Sequence, residues 1–337
     1  MKKLCLLTLC LLMTILVCFA QENNDFYDNT PEKKLAGPQK IEVGGEVANP
    51  GFVNLSRLPR RSLIIREARL ENGAIIFSGS YRYDGYSLFD ILKEKIVAKK
   101  NKAEFESIID LLVMVENAKG EKVVLSWGEI YYPTALHRIL IADRVAPIIP
   151  SKTREQWPLP EQTKLVCGND LTSERNIEAP VRITVFSAPL SFPSRKGLKP
   201  LYAPGFHVCS GKDEAVVFNV AQANAEKRIY PSVFYGRGKG FHGINLFSGI
   251  LLKDALKTFF TMDRETLQRG YLVAASIDGY RVAMSYSELF NRNDQAEFLL
   301  IDRGENQEGG RYALFPAADF FSDRALKAVS AIHFLTY

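Results

Sequence analysis

GILLKDAL (Gly249–Leu256) and SIDGYRVAMSYSELF (Ser276–Phe290) are each answered earlier in the chain, by GYSLFDIL (Gly85–Leu92) at a shift of 164 and by NAKGEKVVLSWGEIY (Asn117–Tyr131) at a shift of 159. Gly85, Leu88, Asp90 and Leu92 fall on Gly249, Leu252, Asp254 and Leu256, and Ser126, Trp127 and Glu129 fall on Ser285, Tyr286 and Glu288. The shift of 159 also carries Leu140, Asp143 and Arg144 onto Leu299, Asp302 and Arg303. Two further blocks keep the same order. Val43 and Phe52–Leu55 meet Val208 and Val217–Val220 at a shift of 165, and Asp170, Ser173, Arg175 and Ile183 meet Asp319, Ser322, Arg324 and Ile332 at 149. Four blocks in one order, with shifts that only shrink, point to two diverged copies of one folding unit.

Within each copy the pattern is rich in strands. Val123–Leu125 and Val282–Met284 follow turn glycines, and Ile139–Ile141 and Phe298–Ile301 are short apolar runs between polar residues, as buried strands are. Leu88–Lys95 and Leu251–Phe260 carry apolar residues at helical spacing behind a glycine. Ser126 and Ser285 stand three residues before Glu129 and Glu288, the spacing of a capping box, so the recurring glutamate reads as a cap and not as a catalyst.

Outside the repeat, the first twenty residues combine Lys2 and Lys3 with an apolar run from Leu4 to Val17 and a terminal Ala20, which reads as a secretory signal peptide (1–20) cleaved after Ala20. Residues 21–39 are polar and lack an apolar period, so a flexible leader is expected there. The first unit is then placed at 40–186, a Pro-, Ser- and Lys-bearing linker at 187–199, and the second unit at 200–337. No later stretch has the length and apolarity to span a membrane, and the expected location is extracytoplasmic, periplasmic or secreted. Removing Lys2 and Lys3 from 43 basic residues leaves 41 against 38 acidic ones, a formal charge of +3 and no footprint for nucleic acid. Only Cys167 and Cys209 lie beyond the signal, and the sequence leaves open one disulfide between them or two free thiols.

A glycine followed by Leu-x-Asp-x-Leu, then Asp-Gly-Tyr before a strand with Ser-x-x-Glu-Leu, and a closing Asp-x-x-x-x-Arg resembles the molybdopterin-binding fold of the sulfite oxidase family. The resemblance implies an α+β, mainly β class built as two tandem sulfite oxidase-like units. In that family one cysteine thiolate holds the metal. The matching stretches here, Leu63–Ala74 and Ile229–His242, contain no cysteine, so no metal ligand, catalytic residue or cofactor is assigned.

Two phosphate-binding patterns fail on physical grounds. In GRGKGFHG (Gly236–Gly243) the glycines match a dinucleotide fingerprint in letters, but the helical pattern starts only near Leu251, too late to aim its amino end at a pyrophosphate. Gly205–Lys212 has the wrong glycine spacing for a P-loop. What the resemblance does supply is a pair of cationic loops, with Arg66, Arg69 and Arg82 in the first copy and Arg228, Arg237, Lys239 and His242 in the second. Such side chains among glycines suit a small anionic ligand, pterin-like or otherwise. The expected function is therefore an exported, non-catalytic binding or interaction protein that meets an anionic ligand or a protein partner outside the cytoplasm. The alternatives are a molybdopterin-dependent oxidoreductase, with molybdopterin as cofactor, and a structural subunit of a cell-surface complex.

Overall fold

A computed structural model describes residues 32–150, 152–210, 215–219, 225–294, 297–305 and 308–337. The expected signal peptide and residues 21–31 lie outside them. In chain order the first half comprises β1 (Lys33–Lys34), β2 (Lys40–Gly45), β3 (Gly51–Asn54), β4 (Arg60–Glu71), β5 (Ala74–Ser87), α1 (Leu88–Lys93), β6 (Leu111–Asn117), β7 (Lys122–Ser126), α2 (Trp127–Tyr131), β8 (Ile139–Pro147), β9 (Lys164–Cys167) and β10 (Pro180–Ser187). The second half continues with β11 (His207–Ser210), β12 (Val216–Val217), β13 (Lys227–Gly236), β14 (Gly240–Leu251), α3 (Leu252–Leu256), α4 (Arg264–Arg269), β15 (Gly270–Ser276), β16 (Arg281–Ser285), α5 (Tyr286–Phe290), β17 (Phe298–Asp302), β18 (Tyr312–Pro316) and β19 (Val329–Thr336).

These strands make four sheets. The first runs β4–β5–β8, with β1 and β9 both pairing β8; the second runs β3–β2–β10–β6–β7; the third runs β12–β11–β19–β15–β16; and the fourth runs β13–β14–β17–β18. The described residues are 48% strand and 12% helix, arranged as the four blades of a β-propeller. This corrects the expectation of two tandem sulfite oxidase-like units. The letters behind that expectation mark local devices which any closely packed β-protein can use. Gly85 and Gly249 are places where a neighbouring strand crosses tightly, since a Cβ there would lie 2.2 Å from the Ile141 carbonyl oxygen and 2.4 Å from that of Leu300. Ser126 and Ser285 are helix caps, accepting from the backbone N–H of Glu129 and Glu288. Asp170–Arg175 and Asp319–Arg324 are buried ion pairs at 2.6 and 2.7 Å. None of the three fixes how sheets are stacked.

The second and third sheets follow one plan. In each, a strand early in its half pairs parallel with the last strand of that half, β2 with β10 and β11 with β19, and an antiparallel pair completes the sheet. They meet through Leu112, Val124, Tyr271, Val273 and Ala283, on which Ala188, Leu190 and Phe192 of the connection 187–199 also pack. One continuous apolar core includes residues of both halves, among them Val43, Ile183, Leu252 and Met284. Residues 33–36 of the expected leader are docked: β1 pairs with β8, Leu35 is buried, and the Ala36 N–H donates to the Glu161 carbonyl oxygen. A two-residue strand is too short to show a sequence period.

Candidate functional site

Both halves contain a long hairpin that leads into a short helix, and the difference between these hairpins creates the site. In the first, Leu63 lies opposite Tyr83. Together with Ile65, Ala142 and Val166 they form a buried apolar face, closed over by Leu35, Trp157 and Leu159. Trp157 and Leu159 belong to the connection between β8 and β9, and Leu35 follows β1. Trp157 sets its ring edge-on to Phe77 at 5.1 Å and donates from Nε1 to the Ile148 carbonyl oxygen, and the Tyr81 hydroxyl donates to that of Pro158 at 2.8 Å.

In the second hairpin Tyr230 lies opposite Phe247, the pair that matches Leu63 and Tyr83. The stretch that carries the connection between β17 and β18 is ten residues shorter between matched residues, Asp302–Asp319 against Asp143–Asp170, as the drop in repeat shift from 159 to 149 records. Nothing equivalent to Trp157 covers this face among the described residues. A cleft of about 610 Å³ remains, lined by Phe234, Phe247, Ile301, Phe315 and Leu326. That volume is within the range of small-molecule sites. Phe247 stacks on Phe315 with ring centroids 3.7 Å apart, giving the cleft a flat aromatic wall.

Polar groups reach the cleft at few points. Ser276 contributes a buried hydroxyl that has no hydrogen-bond partner among the described residues. The Tyr280 hydroxyl is already committed, donating to the Asp323 carbonyl oxygen at 2.5 Å, and burial with the nearby Asp323 charge raises its pKa. Asp278 accepts from the Tyr280 N–H, so one carboxylate also lies at the edge. At the rim stand Arg303 and Lys327, and neither side chain has an ion-pair or hydrogen-bond partner among the described residues. Both lean over Gly309: a Cβ there would meet Arg303 Nη1 at 2.3 Å and Lys327 Cδ at 3.3 Å. Two like charges held side by side, neither of them ion-paired among the described residues, favour an anion between them.

The residues expected to bind an anion are distributed differently. Arg228, at the root of the hairpin, pairs with Glu226 at 3.5 Å, while Arg237, at its tip, pairs with Asp323 at 3.5 Å. Nine residues of extended strand separate them, roughly 30 Å at ~3.3 Å per residue, so they cannot converge on one small molecule. Lys239 is exposed in the turn, and His242 lies edge-on to Phe234 at 5.7 Å. The glycines of this tract build the hairpin turn and its bulge, with φ of +76° at Gly240 and +113° at Gly243. In the first half Arg66 and Arg69 are exposed along β4, and Arg82 bonds Asp84 at 3.0 Å and Glu32 at 3.1 Å.

Cys167 and Cys209 are both free thiols, on strands of different sheets, which decides between the two alternatives left by the sequence. Cys167 is packed into the main core and Cys209 is paired in register with His333. Burial pushes the Cys167 thiol pKa far up, leaving it inert at neutral pH. Among the described residues no group of three or more His, Cys, Asp or Glu is placed to hold a metal, and no helix is long and apolar enough to cross a membrane. No protein-family model and no curated protein sequence matches the chain.

Proposed function

We propose that the chain is an exported binding protein whose fourth sheet takes up an amphiphilic anion, with the apolar body in the cleft and the anionic head at Arg303 and Lys327. The observation that carries this reading is the convergence of two cations, unpartnered among the described residues, on the rim of an apolar cleft whose counterpart in the other half is filled by the protein's own tryptophan. Phe247 and Phe315 would stack on a ring or line an alkyl chain, Ser276 would give one buried hydrogen bond, and the two cations would supply charge-assisted ones. The site offers orientation and charge and has no nucleophile paired with a base, so the reading is one of binding and transport or sensing. The oxidoreductase alternative leaned on the expectation of two tandem sulfite oxidase-like units, a support that the four-bladed arrangement of the sheets removes.

Titration calorimetry with decanoate and decyl phosphate, using decanol as the neutral control, tests the proposal. Both anions should bind more tightly than decanol. Arg303→Ala and Lys327→Ala should each weaken the anions by about 10-fold, the equivalent of one charge-assisted hydrogen bond, and leave decanol unchanged. Equal binding of anion and alcohol, or an unaffected double variant, would remove the anion site.

A further inference from the structure

The opposite face of the same hairpin presents a second, independent feature. Alternation along β13 and β14 turns Tyr230, Phe234 and Phe247 toward the cleft and sends the intervening residues outward. Those outward residues meet in cross-strand pairs: Pro231 opposite Leu246, Val233 opposite Ile244, and Tyr235 opposite Phe241. Leu246 and Ile244 are each 72% exposed and Phe241 62%. Along the strands this face, from Ile229 to Tyr235 and from Phe241 to Leu246, carries no charged side chain, and Arg237 and Lys239 lie in the turn at its end. In the first hairpin the outward pairs are Ser62 with Asp84, Ile64 with Arg82, and Arg66 with Ser80, a mostly polar face on which Arg82 bonds Asp84 and Glu32.

The hairpin is joined to its sheet by few strand pairs, while its cleft face packs on Phe315 and Tyr235 rests against Phe320 and Phe321. β14 pairs with β17 only through Ile250 and Leu251, and β13 has no strand on its other side among the described residues. A two-stranded hairpin in water is marginally stable unless something packs on it. Apolar patches of this kind mark interaction surfaces.

We propose that a second copy of this chain packs on that face, hairpin against hairpin about a two-fold axis. The surface meets the requirements of an isologous contact. It is uncharged, so two copies meet without like-charge repulsion, and the flanking Arg228 and Arg237 are already engaged by Glu226 and Asp323 of their own chain. Its apolar side chains expose on the order of 600 Å², which with a polar rim approaches the ~800 Å² per partner of a standard-size interface. A lipid surface fits less well, because the open strand edges carry backbone groups that hydrocarbon cannot satisfy.

Sedimentation equilibrium of residues 21–337 between 1 and 100 µM, concentrations at which such a contact is populated, is the test. The wild type should be a dimer, and Val233→Asp with Ile244→Asp should weaken association roughly 100-fold or more, as central interface positions do, with the thermal transition retained. Should the aspartates impair folding, Val233→Thr with Ile244→Thr serves instead, read by hydrogen exchange: amides of residues 229–246 should lose their concentration-dependent protection. A wild type that stays monomeric at 100 µM, a dimer that survives folded aspartate variants, or binding of the monomer to phosphatidylglycerol vesicles would each overturn the proposal.

Discussion

Ser126 and Ser285 each do two things at once. Each hydroxyl accepts from the N–H of the glutamate three residues on, at 2.8 and 3.1 Å, and donates to the glutamate of the other half, Ser126 to Glu288 at 2.6 Å and Ser285 to Glu129 at 2.7 Å. Behind them Arg175 holds Glu129 and Asp170, and Arg324 holds Glu288 and Asp319. The caps expected from spacing are therefore also the lock between the two halves, a role that spacing could not reveal. Ser285→Ala should cost about 1–3 kcal/mol, because buried acceptors lose a donor. Glu129→Ala should cost about 3–5 kcal/mol by leaving Arg175 buried with one partner fewer; urea unfolding of both variants checks the order. A second prediction concerns His333, half-buried at the edge of the Phe192 ring, whose pKa burial lowers from 6.5. Its neutral form is the one that fits, so its contribution is complete above about pH 6.5 and is lost as the pH falls below that value. His137 acts with the same sign, through burial and the Arg61 charge. The melting temperature should fall from pH 7 to pH 5, and less steeply in His333→Gln.

Strand crossings decide which elements can neighbour one another. Gly85 and Gly249 each admit a backbone carbonyl where any side chain would collide. Since β14 holds β17 through only two residue pairs, Gly249→Ala should pry that edge apart. The expected loss is about 1–3 kcal/mol, typical of overpacking. Gly238→Ala, at a position with open space around it, should change stability by less than about 0.5 kcal/mol. Equal urea midpoints for the two variants would contradict this assignment. The short helices and strands around these glycines were legible in the sequence because they follow from local pattern: α1, β7, β16, β8 and β17 occur where that pattern places them, whereas the helix expected over Leu251–Phe260 is realised only as α3, Leu252–Leu256, without a side-chain cap. Less legible was β1, whose pairing is supplied by a distant edge.

For the whole molecule, the free thiols predict that unfolded protein comprising residues 21–337 titrates two thiols per molecule with a disulfide reagent and that reductant leaves its melting temperature unchanged. An apolar core that crosses from one half to the other predicts a single cooperative unfolding transition, with coincident near- and far-ultraviolet circular dichroism. By itself the sequence determined the short repeated strands, the serine caps and the recurring Asp–Arg spacing, because each depends on residues a few positions apart, whereas the crossings at Gly85 and Gly249 join residues some fifty positions apart and were seen only in the structure. It also recorded the ten residues lost between Asp143–Asp170 and Asp302–Asp319, although not that their loss opens a cleft. Only the tertiary structure decided that the sheets stand as four blades, that Arg228 and Arg237 lie at opposite ends of a hairpin, and that Arg303 and Lys327 meet over Gly309. Those facts depend on contacts between segments far apart in the chain, and similar local letters are compatible with more than one way of stacking the sheets they build.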